Sequence, residues 1–189
     1  IPYLLEETYE VIEAIEKNDF EALKEELGDL FLHVIFQIEL ATESNFFSVE
    51  DVFEGINTKL INRHSHIFYK KDHPKYKKNN WEQAKQKDKK RDSILDGVPK
   101  NLPGLLKSRR IQEKASSVGF DWDNIKDVMK KVDEEIVELK ESINKDEGIS
   151  DELGDVLFSI VNLSRHLKLN PEESLNQSTD KFITRFKRI

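Results

Sequence analysis

One pattern occurs twice in the 189-residue sequence and decides the fold: ELGDL at residues 26–30 and ELGDV at residues 152–156. Each copy follows a second acidic pattern, EExxE, found at residues 6–10 and again at residues 134–138. Each copy of an internal repeat corresponds to one structural unit. The sequence therefore predicts two tandem units of similar structure.

The segments that carry these patterns have the apolar period of amphipathic helices. In the first half, an i, i+3, i+4, i+7 stripe is formed by Leu27, Leu30, Phe31, Val34, Ile35 and Ile38. The 35% of charged residues, with only seven Gly and five Pro, is typical of long helices with charged outer faces. We expect an all-α protein of two helical units with four-helix-bundle-type arrangements.

A third repeated pattern sets the extent of the units. KLxxR at residues 59–63 corresponds to KFxxR at residues 181–185, in the same order as the acidic patterns. We predict a first helical unit at 1–69, a linker at 70–100 and a second helical unit at 101–189. The linker is basic, with ten Lys or Arg and four acids between Lys70 and Asp92. A solvated segment is the first interpretation, and contact with phosphate or with a partner is the alternative.

Bulk composition excludes several classes of function. The net charge of −7 argues against a general nucleic-acid binder. The absence of an apolar run of about 18 residues argues against a membrane span. With no cysteine, the chain has no disulfide or thiolate metal site, which agrees with a cytoplasmic protein.

The carboxylates of each half are spaced so that they meet. Residues three apart lie on one helix face, so Glu135 and Glu138 project together, as do Glu152 and Asp155. Antiparallel packing of the two helices would bring these pairs opposite each other. The same geometry is expected in the first half for Glu7, Glu10, Glu26 and Asp29.

Four converging carboxylates repel one another and require protons or a cation. Oxygen-only ligands favour Mg²⁺, Mn²⁺ or Ca²⁺, and Mg²⁺ keeps open positions for water and phosphate. Single acidic pairs are ordinary on solvated helix faces. The ordered duplication of the acidic patterns favours a metal site. Gly28 and Gly154 lie inside the predicted helices, where each costs about 1 kcal/mol relative to Ala. These glycines indicate a close approach of backbone, metal or ligand.

The acidic patterns on consecutive helices resemble those of the MazG family of nucleotide pyrophosphohydrolases. The resemblance covers essentially the whole chain and includes VGFDW at residues 118–122 and NLxRH at residues 162–166. It implies Mg²⁺-dependent hydrolysis of a nucleoside triphosphate to a monophosphate and pyrophosphate, with Mn²⁺ as a possible substitute. Compared with the family, we expect the sequence to be shortened at both ends.

The resemblance also implies roles for individual residues. It makes the eight paired carboxylates metal ligands, and it makes Lys131, Glu134, Lys181 and Arg185 contacts of the substrate. Glu134 or Glu138 is the expected acceptor of the proton from the attacking water. The family associates hydrolysis with the second unit and assembly with the first, although the four carboxylates of the first unit are intact.

Alternatives remain open at this level. A related dUTPase-type pyrophosphatase carries a similar acidic pattern, and a non-enzymatic metal-binding assembly or regulator would also use such clusters. Because two helices per site leave an apolar face uncovered, we expect a homodimer.

Overall fold

The computed structural model describes residues 2–70, 72–73 and 93–188, and these residues form eight helices and no strand. In chain order the helices are α1 Pro2–Lys17, α2 Phe20–Glu43, α3 Val49–Arg63, α4 Ser65–Phe68, α5 Gly104–Ser116, α6 Ile125–Lys145, α7 Ile149–His166 and α8 Pro171–Phe186. The predicted all-α fold is confirmed. Most of the predicted basic linker, residues 74–92, lies outside the described residues.

The chain divides into two compact units, Ile1–Trp81 and Glu82–Ile189. In the first unit, α1 and α2 pack against each other as a hairpin. Asn18 turns the chain with a left-handed φ of 54°, and the side chain of Asp19 caps α2 by accepting a hydrogen bond from the backbone N–H of Ala22 at 3.1 Å. The sequence Asn18-Asp19 predicts a turn followed by an N-cap, and both are confirmed.

In the second unit, α6 and α7 form the corresponding hairpin. Its turn contains Asp146 and Gly148, both in the left-handed region with φ of 54° and 70°. Helix α5 packs on α7, where Gln112 donates from Nε2 to the carbonyl of Phe158 at 2.9 Å. The sequence Asn170-Pro171 predicts the start of a helix, because proline at the first helical position lacks only an N–H that would have no partner there. Helix α8 begins at Pro171, so this start is confirmed.

A polar cluster ties the turn before α6 to the end of α7. Arg165 donates two hydrogen bonds to the carboxylate of Asp121, one of them from Nη1 to Oδ2 at 2.9 Å. Arg165 Nη2 also donates to Asn162 Oδ1 at 2.8 Å, and His166 Nε2 lies 3.2 Å from Asp121 Oδ1. The hydrogen bonds from Arg165 hold the pKa of Asp121 well below its usual range. This pair fixes the position of the turn on α7.

The apolar period of residues 123–144 predicts an inner face formed by Met129, Val132, Ile136, Leu139 and Ile143, and the buried face of α6 differs from it in part. Val128, Val132 and Glu135 are buried, whereas Met129 and Ile143 are 42% and 54% exposed. The buried face therefore begins at Val128, one residue before Met129, and it includes the carboxylate of Glu135, which the apolar stripe does not contain. Many apolar side chains of both units remain exposed, among them Leu27, Phe31, Leu153, Leu157 and Ile160.

None of the helices in the described ranges is both long enough and apolar enough to cross a membrane.

Candidate active site

Helices α6 and α7 bring three carboxylates of the second unit together. One oxygen from each of Glu135, Glu138 and Glu152 lies within 4.8 Å of the other two. Glu135 is buried, Glu152 is half-buried and Glu138 is exposed, so the group runs from the helix interface to solvent. We name these residues the C-terminal cluster. The i, i+3 spacing and the hairpin produce it as the sequence predicts.

Lys131 lies one turn before the cluster on α6 and contacts it directly. Its Nζ is 2.8 Å from Glu135 Oε1 and 2.6 Å from Glu134 Oε1. The hydrogen bonds to Glu134 and to Glu135 raise the pKa of Lys131. One side of the C-terminal cluster is therefore already neutralised by the protein itself.

Glu138 occupies a less favourable electrostatic position. Desolvation, followed by the charge of Glu135, raises the pKa of the Glu138 carboxyl, and the nearby Lys131 opposes the shift only in part. Because oxygen donors crowd together here without full compensation, the donor set fits a hard divalent cation.

The first unit contains an N-terminal cluster of the same kind. Oxygens of Glu7, Glu26 and Asp29 lie within 4.8 Å of one another. Desolvation and then the charge of Glu26 raise the pKa of Glu10. Desolvation, followed by the charges of Glu25, Glu7 and Asp29, raises the pKa of Glu26. Every charge that shifts these two groups is negative.

The two clusters differ at one position of the repeat. Lys131 lies three residues before the EExxE pattern of the second unit, and the same place in the first unit is occupied by Tyr3. Tyr3 is 68% exposed and carries no positive charge. This difference was available from the sequence by extending the alignment of the repeats one turn upstream, and the sequence analysis missed it.

Other predicted site residues lie outside these groups. Asp155 is exposed on α7 and is not one of the three carboxylates that converge in its unit. Lys181 and Arg185 have exposed positions on α8, and within the described ranges neither forms an ion pair with the C-terminal cluster. Their assignments as ligand and substrate contacts remain predictions.

The repeated glycines are not explained by close packing within the chain. A Cβ added at Gly28 or at Gly154 would meet no atom within 4 Å. Of the expected close approaches of backbone, metal or ligand, that of backbone is not found among the atoms that the structure describes. Both positions face open space beside the acidic residues.

The fold and the site together define an all-helical protein whose two hairpins each present a carboxylate cluster suited to a divalent cation. The sequence model of the MazG nucleotide pyrophosphohydrolase domain matches residues 1–68 and 124–189, which is more than half of the chain. The chain belongs to the MazG family of nucleotide pyrophosphohydrolases. The predictions of the family and of an enzyme of this class are confirmed.

Individual relatives agree with this membership. The chain is 47% identical over 190 residues to the Thermotoga maritima nucleoside triphosphate pyrophosphohydrolase/pyrophosphatase MazG, covering 100% of this chain and 73% of that protein. It is 38% identical over 197 residues to the nucleoside triphosphate pyrophosphohydrolase of Escherichia coli K12, covering 100% of this chain and 75% of that protein. It is also 39% identical to the uncharacterized protein YabN of Bacillus subtilis, of which it covers 40%.

Proposed function

We propose that the chain hydrolyses nucleoside triphosphates to monophosphates and pyrophosphate, with Mg²⁺ as the cofactor and the second unit as the site of chemistry. The single observation that carries this placement is the contact between Lys131 and the C-terminal cluster. The names of the relatives support the substrate class.

The oxygen-only donors of the C-terminal cluster, together with Asp155, would hold the cation. When bound, Mg²⁺ supplies positive charge beside the phosphates and lowers the pKa of a water ligand. Glu135 is the buried member of the set, and Glu138, one turn further along α6, is exposed. Mn²⁺ would substitute because it accepts the same ligands.

The carboxylate of Glu138 is the favoured proton acceptor, with Glu134 as the alternative. Glu138 is the exposed member of the C-terminal cluster, so its carboxylate can reach a water molecule at the mouth of the site. Glu134 is instead paired with Lys131 at 2.6 Å, and a proton on its carboxylate would weaken that pair.

Cationic side chains would receive the triphosphate. Lys131 is about one-third exposed, so its Nζ can reach a phosphate at the mouth of the cluster while its stem stays on α6. Lys181 and Arg185, four residues apart on α8, present two further charges on one helix face. These charges offset the repulsion between the triphosphate and the carboxylates.

The comparison of the repeats supports assigning hydrolysis to the second unit. KxxR residues are present in both units, at Lys59 and Arg63 as well as at Lys181 and Arg185. Only the second unit has a lysine before its EExxE pattern, where the first has Tyr3. The first unit would bind a cation but attract the phosphates less strongly than the second unit. We therefore expect it to contribute to assembly.

A homodimer would cover the exposed apolar side chains of the two hairpins. Leu153, Leu157 and Ile160 of α7 are each more than 40% exposed, which is unusual for a helix at the centre of a unit. A second copy that packs on this face would complete a four-helix arrangement.

A substrate panel tests the proposal. The protein is incubated with ATP, GTP, CTP, UTP and dUTP in Mg²⁺, in Mn²⁺ and in excess chelator, and the products are separated by ion-exchange chromatography. We expect monophosphate and pyrophosphate from several nucleotides, with no turnover in chelator. Turnover of dUTP alone would favour the dUTPase-type alternative.

A further inference from the structure

Most of helix α8 is uncovered. The helix packs on α5 and α7, but beyond its first two residues every residue from Glu173 to Phe186 is exposed. An exposed apolar stripe runs along it through Leu175, Phe182 and Phe186, which lie within about 40° of one another around the helix axis. An exposed apolar surface of this kind is typical of a face that packs against another protein surface.

Within one chain, α8 lies on the side of α7 that faces away from the C-terminal cluster. A cavity of about 370 Å³ lies between α5, α7 and α8, and its α7 wall consists of Gly154, Leu157 and Phe158. With about 100° per residue, these three residues lie about 140–240° around α7 from Glu152, which faces α6. Helix α7 therefore stands between its own α8 and the carboxylates of its own chain.

Lys181 and Arg185 belong to the uncovered part of α8. They lie about 15 Å and 21 Å along the helix axis from Pro171, where the helix begins. Around the axis they lie about 60–100° from Phe182, so they border the apolar stripe. A surface that packs on this stripe would meet both cations at its edge.

The C-terminal cluster offers the opposite charge. Lys131 pairs with Glu134 and with Glu135. Glu138 and Glu152 form no ion pair within the part of the chain that the structure describes. The cluster therefore keeps negative charge for which further cations are favourable neighbours.

An exposed apolar stripe also borders the cluster on α7. Leu153, Leu157 and Ile160 are each more than 40% exposed and lie about 80–140° around α7 from Glu152. Acidic residues therefore flank an apolar stripe on α7, and basic residues flank one on α8. These two surfaces are complementary in charge and in apolar character, and an interface with twofold symmetry would form their contact twice.

We propose that the substrate site of the second unit is shared between two copies of the chain. Helix α8 of one copy packs beside α7 of the other and brings Lys181 and Arg185 to the C-terminal cluster of that other copy. This arrangement rests on the proposed function, because it takes both cations as contacts of the triphosphate. Each site then combines the carboxylates and Lys131 of one chain with Lys181 and Arg185 of its partner.

A heterodimer of two differently tagged chains tests the sharing. The full-length chains are coexpressed, and the mixed dimer is isolated through both tags in turn. One chain carries Glu152→Gln, and the other carries Lys181→Met together with Arg185→Met. One of the two sites would then combine intact carboxylates with intact cations, so we expect about half of the wild-type rate of pyrophosphate release per dimer. The homodimer of either variant should be at least about 10-fold slower than the wild type.

The reciprocal heterodimer is the matched control. All three substitutions are placed in one chain, and the other chain is wild type. Each shared site would then lack one of its parts, so we expect less than about one-tenth of the wild-type rate. Sites formed within single chains would reverse the results of the two heterodimers, and that reversal would overturn the proposal. Full turnover by the homodimer with Lys181→Met and Arg185→Met, or failure to recover any doubly tagged protein, would also overturn it.

Binding of α,β-methylene-ATP separates this proposal from the proposed hydrolysis, because the methylene group blocks cleavage between the α and β phosphorus atoms. Isothermal titration calorimetry in Mg²⁺ should find two sites per wild-type dimer, one in the first heterodimer and none of comparable affinity in the control heterodimer. These stoichiometries without pyrophosphate release by the wild type would support the shared site and overturn the proposed hydrolysis. No binding to the wild type would overturn both.

Discussion

Lys131 and Glu135 form an ion pair across one turn of α6, with 2.8 Å between Nζ and Oε1. The pair joins a cation to the most buried carboxylate of the C-terminal cluster. The matching place in the first unit holds Tyr3. This difference separates two otherwise similar hairpins.

Replacing Lys131 should impair the use of substrate. We expect Lys131→Met to lower kcat/KM by about 10- to 100-fold, because a charge-assisted hydrogen bond to phosphate contributes about 1.5–3 kcal/mol. Steady-state release of pyrophosphate measures the effect. Lys130→Met is the matched control, since Lys130 is exposed and pairs with Asp127 away from the cluster. Equal losses in the two variants would show that Lys131 has no specific role.

The two units should respond differently to loss of a carboxylate. We expect Asp155→Ala to abolish turnover and Asp29→Ala to leave most of it, because Lys131 contacts the carboxylates of the second cluster, whereas the matching place in the first unit holds Tyr3. The rates of both variants are compared at saturating Mg²⁺, and circular dichroism confirms that both fold. The assignment of catalysis to the second unit fails if the two substitutions reduce the rate equally.

The Asp121–Arg165 pair should make the free energy of unfolding depend on pH in the acidic range. The folded pKa of Asp121 is depressed, so its contribution is complete above the unfolded pKa of about 3.9 and is lost as the pH falls toward the folded pKa. We expect Asp121→Asn to lower the free energy of unfolding by about 1–3 kcal/mol at pH 7. Urea titrations at several pH values should show the difference shrinking below about pH 4. Asp123→Asn, an exposed neighbour, is the control, and a difference that does not vary with pH would contradict the account.

The mid-helix glycines should tolerate a methyl group. A Cβ at Gly28 would meet no atom within 4 Å, so we expect Gly28→Ala to stabilise the protein by about 1 kcal/mol through helix propensity. Thermal unfolding measures the gain. Gly154→Ala should stabilise equally, and a selective loss of its hydrolysis would indicate that substrate or cation approaches that backbone. Destabilisation by Gly28→Ala would indicate contact with a surface outside the described residues.

Much of this architecture could be predicted because it is local. The i, i+3 spacing places Glu135 beside Glu138, and Asp19 caps α2 through a hydrogen bond three residues away. Periodicity could not define the buried face of α6, because a buried Glu135 has the wrong polarity for an apolar stripe. Pairing of Asp121 with Arg165 spans 44 residues, a distance over which spacing carries no information. The sequence motifs contained both residues without indicating that they meet.

Identification of the products of one nucleotide distinguishes hydrolysis to a monophosphate and pyrophosphate from the release of inorganic phosphate. The wild-type protein and its Glu152→Gln variant are incubated with ATP and Mg²⁺, and the products are resolved by ³¹P NMR. The account predicts AMP and pyrophosphate from the wild type and no turnover by the variant, because Glu152 is the member of the C-terminal cluster that α7 contributes. ADP with inorganic phosphate from the wild type, or undiminished turnover by Glu152→Gln, would contradict it.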